Sequence, residues 1–166
     1  MISNLSEKTT MYDTAASTPK LPGGVTRAAG YVNGHYVSHP GLVKAYPKAR
    51  VFGIDVLGTA WEEAAILDFE KGDVQDETTL RRFVSNRNAF REYTAVVYCD
   101  RSNIPTVEDY LSGLWHMLWV ANWGFNGTKG ESLTGTKVQG SGTLIVATQL
   151  QSLENYDLSD SLTEWN

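Results

Sequence analysis

Cysteine is almost absent: Cys99 is the only one in 166 residues, so no internal disulfide forms and cysteine usage does not fix a redox compartment. Long apolar runs are missing too. None approaches the roughly 18 residues needed to cross a bilayer, and no membrane partner is expected. Nor is there a basic cluster. The 14 Lys and Arg residues are scattered, Arg81 and Arg82 forming the tightest pair, against 19 acids and a net charge of −5. That pattern lacks the electrostatic footprint of a nucleic-acid binder. The first residues, MISNLSEKTTMYDT, lack the basic start and apolar core of a secretory signal. Internal repeats and long linkers are absent as well. The length suits a single domain (1–166, with 1–8 as an extension) that buries roughly two thirds of its unfolded surface.

What the chain does have is a series of short apolar stretches, several ending in an acid or an amide. The expected strands are residues 9–16, 27–34, 49–58, 64–72, 93–100, 116–123 and 142–150. Most are near-continuous apolar runs, the pattern of parallel strands covered on both faces. Two helices are readable. One runs over 76–92, with Leu80, Phe83, Val84 and Phe90 on one face. The other is expected from Thr106 to His116, opened by a T-x-x-D capping pattern. The gaps between the early strands are too short for full helices, and residues 123–142 read as a long Gly-rich loop, expected to be mobile. Seven or eight parallel strands with few helices predict an α/β fold: a reduced, partly flattened TIM-type (β/α) barrel, since a complete one takes about 250 residues.

In such a barrel the C-terminal strand ends converge on one rim. The residues placed there are Asp13, Asp55, Asp68 and Glu70, then Tyr98 and Asp100, Asn122 and Trp123, Gln149, and Tyr156 and Asp157 from the tail. Acids and amides match hydroxyl groups and flat rings cover the apolar faces of sugars, so the composition suits carbohydrate. The stretch ILDFEKGD sharpens this. Asp68 and Glu70 stand i and i+2 on one strand, with Cα atoms roughly 6.5 Å apart and side chains on the same face. Their repulsion raises a carboxyl pKa toward neutrality, as a general acid for glycosidic cleavage requires.

MYDTAA, ILDFEKGD, VVYCDRSNI, LWVANW and ATQLQSLENYDLSD occur in the order seen in glycoside hydrolase family 25, the Chalaropsis-type lysozymes. With GYVNG and FGIDVLG, the chain most resembles the short glycoside-hydrolase-like domains of actinobacteria and their phages, over roughly residues 9–160. The resemblance implies N-acetylmuramidase activity, cleavage of the β-1,4 bond between N-acetylmuramic acid and N-acetylglucosamine. It implies Glu70 as general acid, Asp68 as the group stabilising the reacting N-acetyl function or the developing cation, and Asp13 lining the same site. Asp55, Tyr98, Asn122, Trp123, Gln149 and Asp157 are the expected substrate-binding residues, with no cofactor and no metal. The expected partner is bacterial cell-wall glycan, with other virion proteins as a further possibility; the protein would be made in the cytoplasm and act at the wall after lysis or on a phage particle. The sequence departs from the family at Asp13-Thr14-Ala15, where members begin Asp-x-Ser, at Ile66, where a further acid is common, and in lacking an aromatic beside Gln149. A second class of function therefore stands beside the enzyme: a catalytically weak or inactive barrel acting as a glycan-binding or structural virion component.

Simpler roles compete for individual residues. Asp68 and Glu70 could be a solvated strand end with Lys71 pairing locally, and Asp13 and Asp55 could cap turns. The acids match no known Ca²⁺ or Mg²⁺ loop. His35 and His39 lie in a Gly- and Pro-flanked segment read as loop, which argues against zinc. Cys99 reads as a small buried hydrophobe, Trp115 and Trp119 as core. GSGTL (140–144) is too short for a phosphate loop.

Overall fold

The computed structural model describes residues 7–90, 94–125 and 128–165. Eight strands close into a barrel in sequence order: β1 (Lys8–Thr14), β2 (Arg27–Tyr31), β3 (Arg50–Asp55), β4 (Ile66–Asp68), β5 (Val96–Asp100), β6 (Met117–Ala121), β7 (Ile145–Ser152) and β8 (Asp157–Leu162). The first seven are parallel. β8 is antiparallel to both β7 and β1 and closes the ring. Only residues 153–156 link β7 to β8, far fewer than the dozen or so that a parallel crossover needs, so the chain turns straight back. The tail read in the sequence as NYDLSD is thus the eighth strand. Its inward Ser159 and Ser161 accept the indole N–H groups of Trp119 at 3.1 Å and Trp165 at 2.6 Å, which is why so polar a segment sits inside a barrel.

Among the described residues three helices cover the outside: α1 (His39–Ala45), α2 (Glu77–Ala89) and α3 (Ile104–Tyr110). α1 corrects the reading of His39 as loop: Pro40 sits in the first turn, where its missing N–H is no loss. α2 starts as expected, with Asp76 accepting from Thr79 N at 2.8 Å; the last residues of its expected span, 91–92, and Tyr93 lie outside the described residues. α3 starts at Ile104 and not at Thr106. A single 3-10 turn (Arg101–Asn103), capped by the Asp100 carboxylate, leads into it, and Pro105 favours the first turn over the T-x-x-D pattern. It stops at Tyr110, and Gly113 at φ 81° turns the chain away. Trp115 is carried out into solvent at 67% exposure, not into the core.

Strand alternation sorts the apolar side chains into two cores. Inside the barrel lie Met11, Ala29, Phe52, Ile54, Ile66, Tyr98, Met117 and Trp119. Between the barrel wall and α2 and α3 lie Leu67, Val97, Cys99, Leu118 and Val120 with Leu80, Phe83, Val84 and Val107. The N-terminal end of the barrel is plugged. Trp165 stacks on Phe52 at 4.3 Å, and the Arg27 guanidinium lies 5.0 Å from the Phe52 ring and donates to Trp165 O at 3.0 Å. The segment 128–144 is hydrogen-bonded to the barrel, with Gly130 N to Leu150 O and Gly135 N to Ile145 O at 2.9 and 2.8 Å.

Candidate functional site

With the N-terminal end filled, the interior opens at the C-terminal strand ends. The alternation that points Met11, Ala29, Ile66 and Trp119 inward also points Asp13, Tyr31, Asp68 and Trp123 inward, each an even number of residues further on. Register agrees: Asp13 faces Asp157 across β1 and β8, and Asp68 faces Tyr98 across β4 and β5. Glu70 lies two residues beyond Asp68, past the end of the short β4, so it keeps the inward side nearer solvent. Gln149 owes its direction to a bulge. β7 slips by one residue between Ile145 and Ala147, so Ile145 packs outside while Ala147 and Gln149 face in.

Gln149 is the hub. Its Oε1 accepts from the Tyr98 hydroxyl at 2.6 Å and from Trp123 Nε1 at 2.9 Å. Its Nε2 donates to Asp157 Oδ2 at 3.0 Å and Asp13 Oδ2 at 3.3 Å. The amide orientation follows from chemistry: an indole N–H only donates, so the atom facing Trp123 is oxygen and the nitrogen faces the acids. Expected as a substrate-binding residue, Gln149 is buried and has both ends engaged by protein groups.

The acids are less completely partnered. Asp13 and Asp68 are 3% and 2% exposed, and among the described residues an oxygen of each, Oδ1, has no hydrogen-bond partner. Among the described residues neither these two nor Glu70 and Asp157 has an ion-pair partner. Burial therefore acts on them unopposed by any cation. It pushes Asp68 up to about 8, helped by repulsion from Glu70, Asp73 and Asp13. Asp13 is raised well above the carboxylate range, first by burial and then by Asp157 and Glu70, with Gln149 opposing. Glu70 rises mainly by burial, the Tyr98 hydroxyl opposing and Asp100, Asp73 and Asp157 adding. Asp157 rises by burial, against hydrogen bonds involving Ser152 and Leu153. Tyr98, buried among these carboxylates, and Tyr31, partly buried beside them, are raised as well, mainly by burial, and stay neutral. Asp13, Tyr31, Tyr156 and Asp157 line an open cleft of about 290 Å³.

Two expected substrate ligands are not brought to this cleft as free groups. Asp55 follows the inward Ile54, so alternation turns it outward. Its carboxylate accepts from Asn33 Nδ2, Leu57 N, Gly58 N and Ala60 N at 2.6–2.8 Å and organises the loop after β3. Asn122 follows the inward Ala121; its Nδ2 donates to Glu131 O at 2.7 Å and pins the loop beyond β6. Asp100 likewise caps the turn into α3. Tyr31 is the member that reading strand ends missed, although the alternation Ala29-Gly30-Tyr31 carried the signal.

A larger cleft, about 460 Å³, lies at the opposite pole beside Trp115, His116 and Glu108. Its polar groups satisfy one another, His116 Nε2 lying 3.0 Å from Glu108 Oε1 and Thr143 Oγ1 donating to Glu108 Oε2 at 2.8 Å. Among the described residues no three His, Cys, Asp or Glu side chains are grouped to hold a metal ion, and no helix is long and apolar enough to cross a membrane. No family model, curated protein or solved structure matches the chain.

Proposed function

We propose that the chain is a peptidoglycan-directed glycoside hydrolase related to family 25, a muramidase-like enzyme on a reduced TIM-type (β/α) barrel. One observation carries the reading: Asp13, Asp68, Glu70 and Asp157 share the open end of the barrel, with no paired cation among the described residues and every carboxyl raised. Glycoside cleavage needs a carboxyl that holds its proton near neutral pH and a second that steadies the developing oxocarbenium ion. Glu70, half-buried beyond the end of β4, is the member able to reach a leaving oxygen. Asp68 lies deeper and binds its proton more tightly. The two titrate as a coupled pair, so a proton given up by Glu70 is replaced from its neighbour or from solvent. Asp13 and Asp157 are fixed by Gln149 beside the place where a sugar cation develops, and the growing positive charge favours their ionised forms there. Trp123, 57% exposed and held by its indole nitrogen, offers a flat face to a sugar ring. The setting proposed is the bacterial cell wall, reached after lysis or from a phage particle.

Release of reducing ends from purified actinobacterial peptidoglycan tests this, with wild type compared to Glu70→Gln. Release lost in the variant supports the assignment. No release from wild type, with the protein still co-sedimenting with the glycan, replaces the enzyme by a glycan-binding virion or wall component.

A further inference from the structure

The acid cluster has a property that glycoside cleavage alone does not need. Asp13 Oδ1 and Asp68 Oδ1 are buried acceptors to which none of the described residues donates. Leaving such an oxygen unsatisfied is costly, and a catalytic role or a bound ion is among the reasons a protein keeps one. Among the described residues no lysine or arginine pairs with either carboxylate or with Glu70 or Asp157. The rings of Tyr31 and Tyr156 line the cleft with Asp13 and Asp157. Inward acids, orphaned acceptors and aromatic walls are together the recognition chemistry of an organic ammonium.

Among the substituents of a glycan, a hydroxyl offers one proton and no charge, and an acetamido group offers one N–H beside a carbonyl oxygen that a carboxylate repels. A protonated amine offers three N–H donors and a full positive charge. We propose that the cleft takes a glycan bearing a free ammonium group, an N-deacetylated amino sugar whose nitrogen is held by Asp13 and Asp157, the facing aspartates that line it. This deepens the glycan reading above and rests on it. When the ammonium seats, a carboxylic acid of the pair ionises to carboxylate and its proton passes to solvent, so binding releases protons.

The test is calorimetric titration with glucosamine oligomers and with N-acetylglucosamine oligomers of the same length, at neutral pH, in two buffers of different ionisation enthalpy. Wild type is expected to bind the amine form at least about tenfold more tightly, as charge-assisted hydrogen bonds imply, and to release protons. Asp13→Asn and Asp157→Asn, near-isosteric changes, are each expected to remove most of that preference. Acetylated oligomers bound equally or more tightly would overturn the ammonium site and leave the glycan reading standing. Amine binding that survives both substitutions would mark mere adsorption to an acidic surface and also overturn it. Binding of neither oligomer, nor of peptidoglycan, would remove the glycan reading itself.

Discussion

Trp123 stands 57% exposed, yet its indole nitrogen donates to the buried Gln149 Oε1 at 2.9 Å. A solvent-facing ring is thus tied through one amide to Asp13 and Asp157.

Replacing Gln149 by leucine removes the acceptor of the buried Tyr98 hydroxyl and the donor shared by two acids. The expected cost is about 1–3 kcal/mol of folding stability, the penalty for a stranded buried polar group. Urea unfolding measures it, and Trp123 emission should shift as the ring is released. Unchanged stability would mean that the amide links nothing.

The pH dependence has a definite sign. Asp68, raised to about 8, binds its proton more tightly in the folded chain than in the unfolded one, and Asp13, Glu70 and Asp157 shift the same way. The unfolded state therefore carries fewer protons between the ordinary carboxylate range and pH 8, and stability falls as pH rises through that window. Asp68→Asn, which cannot ionise, should flatten the fall and stabilise the protein at pH ~8.5 on the order of a few kcal/mol. Thermal melts of both proteins at acid and alkaline pH check it; a variant less stable than wild type at the alkaline end contradicts the assignment.

Asp55→Ala strips three backbone N–H groups and Asn33 of their acceptor. A loss of about 2–4 kcal/mol is expected, against about 1 kcal/mol for Asp55→Asn, which keeps one oxygen. The same loss in both variants would show that the carboxylate does something other than gather the loop after β3.

Gly130→Ala would set a Cβ 1.7 Å from Asn122 O, a backbone atom that cannot step aside. The segment holding Trp123 near Gln149 should lift from β7, with a red-shifted tryptophan emission and faster amide exchange at residues 130 and 122, whose N–H groups donate to Leu150 O and Gln149 O. An unaltered emission spectrum would show that the segment accommodates the methyl.

Strand positions were legible because parallel strands write themselves as apolar runs, and Asp13, Asp68, Glu70 and Tyr98 fell at their ends. Parity within a strand was the further information that end-reading ignored. It separates Asp68 from Asp55 and Trp123 from Asn122, and it would have found Tyr31. The bulge that turns Gln149 inward leaves no mark in ATQLQ. Nor did β8 show itself, since its inward serines answer indole nitrogens that lie far off in sequence. Trp115 misled because its apolar neighbours suggested a continuing helix, whereas the chain breaks at Leu111–Gly113.

The antiparallel β8 brings the two ends of the described chain together. Lys8 pairs with Leu162, and Thr163 N donates to Glu7 O at 3.0 Å, at the plugged pole. A tether, label or carrier fused at either end therefore leaves the open pole facing away from its support. Immobilised by either end, the protein should present its cleft outward to an insoluble polymer.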